Sequence, residues 1–407
     1  MLPALDIIAA GLRRTTEAIA TELAQPGSPT PDWNSTEWRL AKAVAAAHGV
    51  SPLLFRASDW KNSEWRAFLE TQREHVEDRH RRIAACLKDI DTRAQSAGVP
   101  VMPLKGSALH ALGIYVPGDR RMADIDLLVQ EDDVQQTSAL LCELGYVESF
   151  ATWKHRVFKP ATGKPFETLG EHRDTPINIE LHTRIHERLP LTTVDITERI
   201  FPREPKPGLS PYPSIGALMS HLILHTAGNI ADGGLRLIQL HDIARLIPHM
   251  TEADWSALWD GRAADGPWWA LPPLRLVERY YKGTVPESLL ARVERECPPL
   301  LRAKSSRQTL TQVSCSRLWV RALPGIEWSR SIGDALRVVR NRITPHQEET
   351  RQTRAAIAQT QLWVAGQGWV TSSQRCRRML KILTRRAPRL DIMYVVRAAF
   401  APSRAAT

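Results

Sequence analysis

In the stretch Asp124-Ile-Asp-Leu-Leu-Val129, acids alternate with branched apolar residues. A period of two belongs to a strand, where successive side chains leave by opposite faces. Asp124 and Asp126 therefore project to one side, and Ile125, Leu127 and Val129 face a core. Two carboxylates held this way suit Mg2+ (or Mn2+), which keeps several waters and takes one or two carboxylates plus substrate phosphates. Glu180 is the candidate third acid, because Ile177, Ile179 and Leu181 alternate with Asn178, Glu180 and His182. A third carboxylate completes a two-metal arrangement for in-line displacement at phosphorus. An isolated Asp-x-Asp is a common helix cap or solvated face, so its setting decides.

That setting begins upstream. Val99 to Leu104 is a short apolar run, interrupted by prolines, that ends at Lys105-Gly106-Ser107, and Ala108 to Leu112 resumes helical composition. Strand, tight turn and helix follow in order. Such a turn suits phosphates: glycine lets the backbone approach, the helix start offers free N–H groups, and the Ser107 hydroxyl can donate. Lys105 and Arg120 would neutralise charge at a transferred phosphorus. Lys105, Gly106, Ser107 and Arg120 are thus expected to bind an NTP, ATP foremost.

Length allows two or three structural units. Residues 1–75 look helical, with a break at Gln25 to Pro31, and residues 76–200 carry the strand-like pieces. These are Asp124 to Val129, Tyr146 to Phe150, Arg156 to Lys159 and Ile177 to Ile185, with an acid-started helix from Glu131 to Leu144. A proline-rich linker at Phe201 to Pro213 leads into residues 214–370, helical most clearly in Ile215 to Ala227 and Leu235 to Ile247. The fold class expected is α+β, a small mixed sheet flanked by N-terminal helices and a C-terminal helical domain.

The net charge of +10 favours a polyanionic partner. From Thr371 to Thr407 stand nine basic residues (Arg375, Arg377, Arg378, Lys381, Arg385, Arg386, Arg389, Arg397, Arg404) against Asp391, so most of the excess lies in residues 371–407. That segment is a candidate contact for RNA or an anionic membrane surface, with packing on its own domain the plainer expectation. The cysteines are odd in number and form no CxxC pair, the first residues do not read as a signal peptide, and no run of about 18 apolar residues occurs. A reducing cytoplasm is expected. No P-loop, Gly-x-Gly-x-x-Gly or Gly-x-Ser-x-Gly pattern occurs, which argues against P-loop NTPases, Rossmann oxidoreductases and α/β-hydrolases.

His221 and His225 share a helix face, and His241-Asp242 follows, a pattern of HD-type phosphohydrolases. Satisfied core histidines are the more frequent outcome. His182 and His186 straddle a strand end, where a spacing of four does not bring them together. The tryptophans are expected mostly in cores and interfaces.

At Leu104-Lys105-Gly106, Arg120 and Asp124 to Val129 the chain resembles the polymerase-β-like nucleotidyltransferase superfamily, in a bacterial branch marked by these motifs. The likeness extends to Val50 to Phe55, Ile179-Glu180-Leu181-His182, Leu224-His225 and Asp242 to Ile247, and so covers most of the chain. The resemblance implies that Asp124 and Asp126 bind metal and that Glu180 takes a position often held by aspartate. It implies Mg2+-dependent transfer of an NMP group from an NTP to an unidentified acceptor, which is a small molecule, peptide, protein or RNA. The alternatives are a nucleotide- or RNA-binding protein on a degenerate transferase fold and the HD-type phosphohydrolase. Oligomeric state is left open.

Overall fold

A computed structural model of the chain describes residues 2–163, 168–259, 266–321, 323–343 and 386–401. Four helices come first: α1 (Leu5–Ala24), α2 (Ser35–His48), α3 (Ser51–Ala57) and α4 (Ser63–Ala97). Local signals explain their limits. Asn34 caps α2 by accepting from the Glu37 amide while Glu37 returns to the Asn34 amide, and Asn62 caps α4 by accepting from Trp65. Gly98, at φ 72°, ends α4 in the left-handed conformation. The break expected at Gln25 to Pro31 is the α1–α2 connection. The boundary drawn between residues 75 and 76 falls inside α4, a single unbroken helix of 35 residues.

A mixed sheet of six strands follows, built from β1 (Pro100–Pro103), β2 (Asp124–Leu128), β3 (Tyr146–Ala151), β4 (His155–Pro160), β5 (Asn178–His182) and β8 (Gly208–Leu209). Its order is β3-β4-β5-β2-β1-β8, with β2–β5 and β1–β8 parallel and the other pairs antiparallel. β6 (His186–Leu189) and β7 (Thr192–Asp195) form a separate antiparallel hairpin. Helix α5 (Gly106–Ala111) lies between β1 and β2, α6 (Val134–Glu143) between β2 and β3, and short α7 (Thr197–Ile200) after β7. The proline-rich linker holds a finding of its own. Its residues Gly208 and Leu209 add to the sheet edge beside β1, a pairing too short to leave a periodic pattern.

The rest is helical: α8 (Ile215–Asp232), α9 (Leu237–Leu246), α10 (Glu252–Ser256), α11 (Leu271–Tyr280), α12 (Glu287–Glu296), α13 (Pro299–Arg307), α14 (Leu310–Val313), α15 (Ile332–Ile343) and α16 (Leu390–Phe400). The expected α+β class, a small mixed sheet with helices before and after it, is the class observed.

Two cores hold these parts together. The smaller packs Ile125, Leu127, Ile179 and Leu181 of the sheet under Ile83 and Ile90 of α4 and Leu140 and Leu141 of α6. The larger joins α1 to α3 with α8, α9, α11 and α16, so the N-terminal helices and the C-terminal helices share one interior. Trp33, Trp38, Trp60 and Trp65 cluster there in edge-to-face and tilted contacts, with centroids 5.0–6.3 Å apart. His48, fully buried at the end of α2, accepts from the Leu237 amide that opens α9 (2.8 Å) and pairs with Ser316 Oγ (3.1 Å).

Of the basic C-terminal segment, residues 371–385 and 402–407 lie outside the described residues. Within the described part, α16 buries Ile392, Met393 and Val396. No helix among the described residues is long and apolar enough to cross a membrane. Cys86, Cys142, Cys297 and Cys315 are free thiols.

Candidate active site

Strand register assembles the site. In the parallel β2–β5 pair, Asp124 stands opposite Asn178, Asp126 opposite Glu180 and Leu128 opposite His182. Directly opposed residues leave a sheet by the same face. One face is therefore apolar and buried on α4 and α6, and the other carries Asp124, Asp126, Glu180 and His182. The antiparallel β4–β5 pair adds His155, opposite His182. Above this polar face runs a cleft of about 320 Å³, closed by α5, by Leu222, His225, Thr226 and Asn229 of α8, and by the start of α9.

Lys105 sits where β1 turns into α5 and is the one non-glycine residue at positive φ among the described residues, at φ 48° and ψ −113°. That conformation aims its ammonium at Asp126 Oδ1, 2.8 Å away. His182 Nε2 lies 3.1 Å from the same oxygen. Burial alone pushes Asp126 up, but Lys105 and then His182 outweigh it and hold this carboxyl well below the usual range. Asp124 and Glu180 go the other way. Burial raises both, and the neighbouring carboxylates add repulsion: Asp126 against Asp124, and Asp124 and Asp126 against Glu180. Three carboxyl groups thus converge on a shielded floor where Lys105 is paired with Asp126 alone, and a bound cation would relieve the repulsion that raises Asp124 and Glu180. Hard oxygen donors converging in this way fit a divalent ion of the Mg2+ type, with Asp124, Asp126 and Glu180 as the residues that would hold it.

Arg120, expected at phosphates, lines the cleft while also holding a buried partner. Its Nε and Nη2 donate to Asp242 Oδ1 and Oδ2 at 2.8 and 2.6 Å, and Tyr115 Oη donates to the same carboxylate at 2.9 Å. Gly106 serves this pair: a Cβ there would overlap Arg120 Nη1 and come within 3.0 Å of Met122 Cγ. Glycine is thus required for the guanidinium's passage, a different reason from the phosphate approach expected of it. Lys105, Gly106, Ser107 and Arg120 all line the cleft.

The HD-type reading does not survive the geometry. Asp242 is used by Arg120 and Tyr115, and His241 Nδ1 faces Tyr281 Oη at 2.9 Å. His221 pairs with Tyr212 Oη (2.8 Å) and His225 with Glu187 (3.1 Å). Both helical histidines belong to hydrogen-bonded pairs, and the metal-ligand cluster among the described residues lies instead at His155, Glu180 and His182.

Several members of the site carry no sequence signature. Arg79, buried in α4, donates to the carbonyls of Met122 (3.4 Å) and Ala123 (3.0 Å) and pairs with Glu171 at 2.9 Å. It thereby fixes the backbone entering Asp124. Arg121, also paired with Glu171, and Arg236, from the start of α9, line the cleft as its further cations. An arginine mid-helix at position 79 looks like any other in a highly charged, amphipathic stretch. His155 and His182 were separable from ordinary strand histidines only by knowing that β4 lies beside β5.

Comparison with protein families matches residues 34–266, more than half of the chain, to the family described as uncharacterised nucleotidyltransferase. No curated protein and no solved structure matched. The matched span opens at the Asn34 cap of α2 and takes in the sheet, the cleft and the helices α5, α8 and α9 that close it. With the carboxylates, the strand register and the fold in agreement over that span, the chain belongs to the uncharacterised nucleotidyltransferase family.

Proposed function

We propose that the protein transfers a nucleoside monophosphate group from an NTP, ATP foremost, to an acceptor nucleophile with release of pyrophosphate, in the presence of Mg2+ or Mn2+. The observation that carries this reading is the convergence of Asp124, Asp126 and Glu180 on the floor of one cleft of nucleotide size. The ion, when bound, supplies charge neutralisation and alignment at the phosphates.

The chain's own residues do the rest. Asp124 and Asp126 hold the cation, and Lys105 keeps Asp126 ionised and aimed. Arg121 and Arg236 offer the triphosphate positive charge, and Ser107 offers a hydroxyl at the wall where α5 begins. Arg120 acts through position, bracing the segment before β2 against Asp242. Glu180 faces a second, smaller chamber of about 90 Å³ shared with His155, His182, His221 and His225. Its carboxylate, made more basic by burial and by Asp124 and Asp126, is suited to receive the proton of an acceptor hydroxyl at that side.

The test is incubation of the purified chain with each NTP, labelled in turn at the α-phosphate, and a cell lysate, followed by mass identification of the labelled species. Expected are pyrophosphate release that requires a divalent ion and its loss in a folded Asp124→Ala/Asp126→Ala double variant. Turnover that persists in that variant would sink the reading.

A further inference from the structure

We infer that His155, Glu180 and His182 form a second cation site, on the acceptor side of the Asp pair, that takes a first-row transition ion of the zinc class in preference to Mg2+. The inference rests on the polar sheet face being a cation site and not on which reaction follows.

The backbone brings these donors together. His155 and His182 are direct partners across β4–β5, and their rings lie 4.9 Å apart. His155 Nδ1 is 3.5 Å and His182 Nε2 3.8 Å from Glu180 Oε2, and one ligand atom from each residue lies within 4.8 Å of the others. A tetrahedral ion with bonds of about 2.1 Å spaces its ligands by about 3.4 Å, so both His–Glu separations are already near the closed value.

A second observation points to the same ligand. His155 Nδ1 is buried and makes no hydrogen bond, though it faces a carboxylate oxygen. A buried polar atom left so calls for a partner that the protein itself does not supply. His182 Nε2, which now lies 3.1 Å from Asp126 Oδ1, coordinates in the tautomer that carries its proton on Nδ1, giving up that contact for the ion.

Donor chemistry selects the ion. Imidazole nitrogens favour zinc, cobalt and their neighbours, whereas Mg2+ prefers an all-oxygen shell. Two histidines and a glutamate are a donor set by which zinc is held with one position open. All three donors line the 90 Å³ chamber. The nearby ammonium groups do not defeat a cation: Lys105 is paired with Asp126 and Lys154 with Glu187.

The experiment is titration of the metal-free full chain with Co2+ in excess Mg2+, read by visible ligand-field absorption. Expected is stoichiometric binding that Mg2+ does not displace. His155→Ala and His182→Ala should each weaken it by on the order of 100-fold, and Asp124→Asn, which removes an Mg2+ ligand under the proposed function, should retain it. Since a buried histidine variant can fail to fold, X-ray absorption of the zinc-loaded wild-type chain provides a test without substitution, with two imidazole nitrogens expected in the shell. An all-oxygen shell, or Co2+ affinity indifferent to both histidines, would overturn the site. So would a band lost in Asp124→Asn and kept in the histidine variants. Absent NTP turnover with the Co2+ band intact would count against nucleotidyl transfer and leave this site standing.

Discussion

Arg120 and Asp242 form a two-pronged buried ion pair, at 2.8 and 2.6 Å, between the loop that enters β2 and the middle of α9. One contact thus explains two residues that separately look like chemistry: the arginine four positions before Asp124 and the aspartate of His241-Asp242. It also ties the carboxylate strand to the helical region that closes the cleft. The pair is placed to orient the site, with Asp242 only 2% exposed.

Asp242→Ala should destabilise the protein by about 3–5 kcal/mol, because it leaves the Arg120 guanidinium buried without its counter-charge. Urea unfolding measures this. The Arg120→Met/Asp242→Leu double variant should regain most of the loss, since two apolar groups leave no buried charge unpaired. Wild-type stability in Asp242→Ala would contradict the pairing.

Gly106→Ala should cost about 1–3 kcal/mol, because a methyl group would be forced into a guanidinium that Asp242 holds in place. The cost should shrink when Arg120 is already alanine. A double-mutant cycle in unfolding free energy checks this, and additive effects would show that the methyl group meets something other than Arg120.

Lys105→Gly should be more stable than Lys105→Ala by about 1–3 kcal/mol, since both lose the Asp126 pair but only glycine is at ease at φ 48° and ψ −113°. Both should lose NTP turnover with the ammonium. Equal melting temperatures for the two variants would mean that the backbone relaxes on substitution.

Acidification should weaken the fold through His48. Burial, and next the charge of Arg236, push its pKa down to about 3, against 6.5 in the unfolded chain. Between those values the unfolded state holds one proton more, so unfolding free energy rises with pH, and the contribution present at pH 7 is lost as pH falls below 6.5. By pH 5 the loss from this residue alone is about 2 kcal/mol. Urea unfolding across pH 5 to 7 should show a shallower slope for His48→Asn than for wild type, and identical slopes would rule out His48 as the group responsible.

What the sequence determined by itself is local. The period of two in Asp124 to Val129 and in Ile177 to His182 decided that the acids leave one side of each strand and the isoleucines and leucines the other, because side-chain direction in an extended backbone depends only on position along it. Helical composition before residue 100 and in α8 and α9 was legible for the same reason, whereas the helix ends, such as the caps at Asn34 and Gly98, came from the structure. Tertiary structure decided which elements meet. Nothing within β2 or β5 states that they pair in parallel with Asp126 opposite Glu180, or that β4 delivers His155 to the same face. Those neighbours follow from burying one sheet face under α4 and α6. Likewise Arg120 finds Asp242, 122 positions away, because a buried guanidinium must meet a counter-charge. The donor atoms were written along the strands, and their assembly into one site came from the core that forced those strands together.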